Sequence, residues 1–289
     1  MPLIAIPGHY RLIGASPDGD SVRFYPESPT AFADAQLTGV KLNSAGGAQL
    51  RMDAIDALET HYTPRTAPRP WHQPAALGDG AASALLEILG FTDVQRNDRN
   101  IVTSSTPAET PGYILTKFAD KYGRAVAFAY PGARRGGTSK PVYVNVAELK
   151  RSANYQLLAD GWVYPTFYSK LFVDLRNALA DAAIDARQAG KGVWEHDATL
   201  PGFRLRSHKQ LTDELVILPK LFRRLAEYLT LDEPKNVSLA GFPAFLQASA
   251  DRLFTVPAGQ ATHLDTLVLR KGQTLKLSLP PEQIVFQEG

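Results

Sequence analysis

The feature that most constrains the fold is a regular alternation of large and small side chains in residues 124–130. Val126, Phe128 and Tyr130 alternate with alanines. Because successive side chains of a β-strand point to opposite faces, this pattern gives one bulky face and one small face. Such a strand suits the curved wall of a small β-barrel, whose interior is filled by side chains. The pattern therefore predicts a barrel strand.

Other segments supply the remaining elements of a small barrel. The predicted strands are residues 10–25 (a hairpin around an Asp-Gly turn), 49–56, 113–118 and 124–130. The predicted helices are residues 74–89, 145–161 and 171–189. Asn145 is a good N-cap for the second of these helices, with Glu148 three residues on. The order of the elements predicts an α+β protein built on a five-stranded β-barrel with packed helices.

The character of the sequence changes after residue 198. Residues 211–230 are predicted to be helical, and residues 264–286 are predicted to form a hairpin. We therefore predict two domains, a barrel domain over residues 1–198 and a small α+β extension over residues 199–289. The extension carries no assignable motif, and we expect a role in docking to a protein partner or in self-association.

The composition narrows the class of protein. The contents of 44% hydrophobic and 21% charged residues fit an ordinary globular chain. The net charge of +2 gives no bulk attraction for nucleic acid, so any binding of phosphate must be local. The chain has no cysteine, which excludes disulfides and cysteine metal sites. It shows no signal peptide and no apolar stretch of membrane-spanning length, so we expect a cytoplasmic protein without a membrane partner, or a secreted one only if a leader was removed.

Candidate functional side chains fall in three short segments. These are Asp18–Ser21 (Asp-Gly-Asp-Ser), Arg51–Thr60, and Asp120–Arg124 (Asp-Lys-Tyr-Gly-Arg). Carboxylates at a turn can bind a hard cation, a glutamate can activate water, and an arginine after a tight turn can present a rigid fork to a phosphate. Taken alone, each segment is also typical of a solvated turn or strand edge. For Arg51, Asp56 and Glu59 to converge, the chain must bend near Ile55.

Together, these segments resemble the signatures of the staphylococcal-nuclease (thermonuclease) family. Those signatures run Asp-Gly-Asp-Thr, then Arg, an apolar stretch and Asp-Thr-Pro-Glu, then Asp-Lys-Tyr-Gly-Arg. Leu157–Tyr164 is similar to a fourth stretch of the family, and Gly190–Trp194 is similar to the end of its last helix. The resemblance covers about residues 8–197. It departs from the family at Ala57 and Leu58, where the family has Thr and Pro.

The resemblance implies an OB-fold barrel and a set of site residues. The implied calcium ligands are the carboxylates of Asp20 and Asp56 and the main-chain carbonyl of Ala57, with Asp18 in support. The implied catalytic residues are Glu59 as general base and Arg51 and Arg124 at the phosphate. The implied substrate-binding residues are Lys121, Phe167 and Tyr168, the last two as a stacking face for bases.

The activity that the resemblance implies is calcium-dependent hydrolysis of phosphodiester bonds in single-stranded or flexible DNA or RNA. The alternative is a non-catalytic OB-fold module that binds nucleic acid or protein, because some relatives of this fold have lost the acidic residues. Retention of Asp20, Asp56 and Glu59 favours the enzyme.

Overall fold

Strands from the first half of the chain close into a β-barrel. The structure is a computed structural model and describes residues 2–134, 141–231 and 237–288. In chain order, the strands are β1 (Leu3–Arg11), β2 (Arg23–Pro26), β3 (Ala48–Met52), β4 (Ile55–Asp56), β5 (Thr92–Arg96), β6 (Val102–Thr106), β7 (Glu109–Ala119), β8 (Ala125–Pro131), β9 (Pro141–Val142), β10 (Tyr164–Pro165), β11 (Phe167–Tyr168), β12 (Phe203–Arg204), β13 (Arg252–Thr255), β14 (Ala261–His263), β15 (Val268–Lys271), β16 (Thr274–Leu277) and β17 (Ile284–Phe286).

The α-helices alternate with these strands along the chain. They are α1 (Ala31–Asp34), α2 (Ala75–Ile88), α3 (Val146–Leu149), α4 (Ala153–Ala159), α5 (Val173–Gln188), α6 (Pro219–Leu229), α7 (Phe242–Ser249) and α8 (Leu264–Leu267). Short 3-10 helices cover Gly192–Glu195 and Pro281–Gln283, and a π-helical turn covers Gln210–Glu214.

The barrel is formed by β1, β2, β3, β7 and β8. β1 pairs with β2, β2 with β3, β3 with β8, β8 with β7, and β7 pairs again with β1. The β3–β8 pair is parallel, and the other four pairs are antiparallel. Because each of the five strands has a neighbour on both sides, the sheet is closed. The structure thus confirms the prediction of an α+β fold with a closed, OB-like five-stranded barrel.

Strand β8 contains the alternating pattern that predicted the barrel. Its residues from Ala125 to Tyr130 are all buried, so the alanine face is covered as well as the bulky face. Helix α4 lies against this strand, because Asn154 accepts a hydrogen bond from the Ala129 amide and donates to the Ala127 carbonyl. The small alanine side chains leave room for this contact.

The chain divides into two compact units that are interleaved in sequence. The first consists of Met1–Asp53, Ala81–Leu157 and Phe172–Ala178, and the second of Ala54–Gly80, Leu158–Leu171 and Leu179–Gly289. The first unit contains the barrel. This division differs from the boundary proposed after residue 198, which stays a prediction.

The second unit has a hydrophobic core of its own. Its core side chains come from both sides of residue 198, with Leu58, Tyr164 and Trp194 in the same cluster as Phe222 and Leu225. Two further sheets belong to this unit, one in the order β11-β17-β13-β14 and one in the order β12-β16-β15. Among the described residues, none of the helices combines the length and the apolar character that a membrane crossing requires.

Candidate active site

The segment that carries Asp56 follows a sharp bend in the chain. Ala54 has a φ of +68°, in the left-handed region that residues with a Cβ seldom adopt. After the bend, β4 pairs antiparallel with β10, so that Asp56 lies opposite Tyr164, and Thr166 donates its amide hydrogen to the Ala54 carbonyl at 2.9 Å. The bend expected near Ile55 therefore occurs one residue earlier, at Ala54.

The backbone of Glu59 is held by a buried glutamine. The Glu59 amide donates to Oε1 of Gln73 at 3.1 Å, and the Gln73 amide donates to the Glu59 carbonyl at 2.7 Å. Nε2 of Gln73 donates in turn to the Ile217 carbonyl at 2.8 Å, just before helix α6. Gln73 is 1% exposed, so these bonds are shielded from water. They fix the position of Glu59 relative to α6.

Asp56 and Glu59 converge on one cation, the guanidinium group of Arg223 in α6. Nη1 and Nη2 of Arg223 donate to Oδ1 and Oδ2 of Asp56 at 3.1 Å and 2.6 Å, a bidentate pair. Nη1 also donates to Oε1 of Glu59. Burial acts to lower the pKa of Arg223, but the two carboxylates outweigh it and hold this pKa well above its usual value. The Asp56 side chain is only 2% exposed, so its ion pair with Arg223 is shielded from water.

Arg223 is the site residue that sequence reasoning missed. It lies 167 positions from Asp56, and no local pattern links the two. The available signal was weak: α6 is strongly amphipathic, with buried Phe222 and Leu225 on its apolar face, and two consecutive arginines follow Phe222. The sequence of α6 therefore predicts a charged helix face, but it does not indicate which acidic residues that face contacts.

The Asp18–Asp20 turn lies in the first unit. Oδ1 of Asp18 accepts the amide hydrogen of Asp20 at 3.2 Å, and the Asp20 carbonyl accepts from the Met52 amide at 2.8 Å. Arg51 is the residue before Met52 in β3. The turn is thus tied by its backbone to the strand that carries Arg51, as an Asx-type turn stabilised by its first aspartate.

The Asp120–Arg124 segment forms a tight turn in the first unit. Oδ1 of Asp120 accepts from the amides of Tyr122 and Arg124, each at 2.9 Å, and Oδ2 pairs with Nε of Arg124 at 2.7 Å. Gly123 has a φ of +89°, which the turn requires and which glycine adopts at little cost. The turn therefore fixes the Arg124 guanidinium in one orientation.

Tyr122 is a second residue that the sequence reasoning passed over. Its ring is 64% exposed and is flanked by two cations, Nζ of Lys121 at 5.4 Å and the guanidinium carbon of Arg124 at 5.6 Å from the ring centre. An exposed aromatic ring beside two positive charges combines a stacking surface with attraction for phosphate.

The predicted stacking face at Phe167 and Tyr168 lies in the second unit. Phe167 is fully buried, and its backbone pairs with Val285 of β17. A buried ring offers no face to a base, so the structure does not support the stacking role that was expected of Phe167. Tyr168 is partly buried and packs against Phe286, with 6.0 Å between the ring centres. Its role in binding stays a prediction.

The donor atoms implied for the metal site are carboxylate and main-chain carbonyl oxygens. No group of three or more His, Asp or Glu residues suited to hold a metal ion occurs in the part of the chain that the structure describes. Asp56, one of the implied ligands, nevertheless lies beside Glu59, the implied general base, because both carboxylates pair with the same cation. Carboxylate oxygens are the donors that calcium prefers, so this pair fits a hard cation in donor type.

Comparison with known proteins adds no family to this picture. Neither a protein-family model nor a curated protein sequence matches the chain.

Proposed function

We propose that this chain is a calcium-dependent phosphodiesterase of the staphylococcal-nuclease type that hydrolyses DNA or RNA. The observation that carries the proposal is the convergence of Asp56 and Glu59 on a single cation. Two buried or half-buried carboxylates three residues apart repel each other unless a cation lies between them. The closed OB-like barrel is the architecture that the motif resemblance implies, which supports the proposal further.

The proposed roles follow from the chemistry of phosphodiester cleavage. The motif resemblance assigns the calcium ion to Asp56 and the Ala57 carbonyl, which belong to the second unit, and to Asp20, which belongs to the first. When bound, the ion would act as a Lewis acid on a phosphoryl oxygen. The carboxylate of Glu59 would accept the proton of the attacking water, and its fixed backbone supports that role.

Positive side chains would stabilise the charge that builds up on the phosphate. Arg51 and Arg124 can each donate two parallel hydrogen bonds to phosphoryl oxygens, which is the geometric advantage of arginine over lysine. The Asp120 carboxylate orients Arg124 before substrate arrives. Lys121 and the exposed ring of Tyr122 would bind the neighbouring nucleotide, and such stacking tolerates any base sequence.

A digestion assay with matched glutamine variants tests the proposal. Labelled single-stranded DNA and RNA are incubated with calcium, with magnesium and with chelator. We expect calcium-stimulated cleavage, reduced by about 10²–10⁴-fold in Glu59→Gln because the variant removes the general base. Glu227→Gln is the control, since Glu227 is similarly exposed and also pairs with an arginine, Arg224. Equal calcium-stimulated cleavage by wild type and Glu59→Gln would contradict the role of Glu59 as general base and, with it, the proposed nuclease site.

One observation favours a second candidate function, a non-catalytic OB-fold module that binds nucleic acid or protein. The proposed metal ligand Asp56 and the proposed base Glu59 already have a protein cation as partner, which is the arrangement expected if they serve only stability. Binding of single strands without turnover, unaffected by chelator, would favour this function over the enzyme.

A further inference from the structure

Arg223 occupies the same carboxylate oxygens that a divalent ion would need. Both Oδ atoms of Asp56 and Oε1 of Glu59 accept hydrogen bonds from its guanidinium group. A calcium ion binds carboxylate oxygen at about 2.3–2.6 Å. An ion on these oxygens would therefore lie within a few ångströms of the guanidinium, where two positive charges in a partly dry site repel strongly.

From this geometry we infer that Arg223 and a divalent cation bind the Asp56 carboxylate in a mutually exclusive manner, so that Arg223 acts as a built-in competitor of the metal. The inference rests on the proposed function for the identity of the ion as calcium. It assigns to Arg223 a regulatory role, because the metal can load only when the guanidinium leaves the carboxylate pair.

The displacement requires movement of one side chain. The apolar face of α6 is fixed by Leu221, Phe222 and Leu225, which are fully buried. The next residue, Arg224, is held by Asp251 through bonds of 2.5 Å and 2.7 Å. The helix is therefore anchored on both sides of Arg223. Rotation of the long, flexible Arg223 side chain is the smaller change that releases the carboxylates.

Calcium affinity in matched variants tests the competition directly. The full chain is titrated with calcium chloride by calorimetry, and its melting temperature is measured with and without calcium, for wild type, Arg223→Met, Arg223→Lys and Arg224→Met. We expect Arg223→Met to bind calcium more tightly than wild type by about tenfold or more. Its melting temperature should fall without calcium and recover with it, since the ion replaces the missing charge.

Arg224→Met is the control, because it removes the same charge from the adjacent position and breaks a comparable ion pair with Asp251. It should lose stability but keep the calcium affinity of wild type. Arg223→Lys retains a charge but cannot form the bidentate pair, so its affinity should lie between those of wild type and Arg223→Met. It also serves as the test if Arg223→Met does not fold.

Two results would overturn the inference: equal calcium affinity in wild type and both Arg223 variants, or no calcium binding by any of them. Failure of the proposed function gives a different pattern. If Arg223→Met binds calcium more tightly but no variant cleaves nucleic acid, the result supports competition between Arg223 and calcium and contradicts the nuclease activity. If wild type cleaves nucleic acid with calcium and the Arg223 variants bind calcium with the same affinity as wild type, the result supports the nuclease activity and contradicts the competition.

Discussion

His208 carries a ring nitrogen, Nε2, that is buried without a hydrogen-bond partner among the described residues. Its ring packs edge-on against Trp71, with 5.5 Å between ring centres. Burial lowers the pKa of His208 below its ordinary value of 6.5. A charged imidazolium at this position would lose part of its hydration, so the folded protein favours the neutral ring.

This pKa shift predicts the sign of one contribution to acid stability. As the pH falls below about 6.5, the unfolded chain takes up a proton at this histidine before the folded chain does. The free energy of unfolding therefore falls with pH in that range. We expect His208→Phe, which keeps the packing on Trp71, to show a shallower loss between pH 7 and pH 5 in urea titrations. An unchanged slope in His208→Phe would contradict the prediction.

Elements were predictable where local signals decide them. Asn145 does cap α3, accepting the Glu148 amide hydrogen at 2.9 Å. The single helix predicted over residues 145–161 was wrong, because Ser152 interrupts it: its hydroxyl accepts from the Tyr155 amide and starts α4 anew. The helix predicted over residues 211–230 is also divided. A π-helical turn ends at Glu214 and α6 begins at Pro219, because proline fits only the first turn of a helix.

In the candidate site, too, the features that local sequence decides were predictable and the others were not. The spacing of Asp56 and Glu59 could be found from the sequence, because the motif is local. The bend at Ala54 was expected on geometric grounds, one residue away from its place. Arg223 and the burial of Phe167 could not be found, since both are decided by packing between segments distant in sequence.

The C-terminal half of α5 is joined to the Pro281–Gln283 turn by a buried ion pair. Arg187 donates to both carboxylate oxygens of Glu282, at 2.7 Å and 2.6 Å, and the Glu282 side chain is 3% exposed. Removal of one partner leaves an uncompensated buried charge, whereas removal of both need not be costly.

We therefore expect Arg187→Met to lower the free energy of unfolding by about 3–5 kcal/mol. The double variant Arg187→Met/Glu282→Leu should recover most of that loss. Urea unfolding of the two proteins measures the difference. If the single and double variants are equally stable, the buried charge is not the source of the loss.

At the scale of the whole molecule, the second unit depends on residues from both sides of position 198. Leu58, Tyr164 and Trp194 share one core with Phe222 and Leu225 of α6. The predicted role of residues 199–289 in docking or self-association stays a prediction, but these residues also contribute much of this core. The apolar surface left by their removal would be large for a soluble chain.

A chain truncated after residue 198 is therefore expected to lose cooperative unfolding and to aggregate. The loss has two causes, the exposed apolar core and the loss of the ion pair between Arg223 and buried Asp56. Thermal unfolding and light scattering of the truncated and full-length chains measure the effect. A truncated protein with a single transition near the wild-type melting temperature would contradict this expectation.

The separation of 167 positions between Asp56 and Arg223 has a consequence for biosynthesis. At about 5–20 residues per second, a ribosome needs roughly 8–33 s to add the arginine after the aspartate. During that interval the nascent polypeptide contains Asp56 and Glu59 but not yet Arg223. The ion pair therefore cannot form until most of the protein has been made.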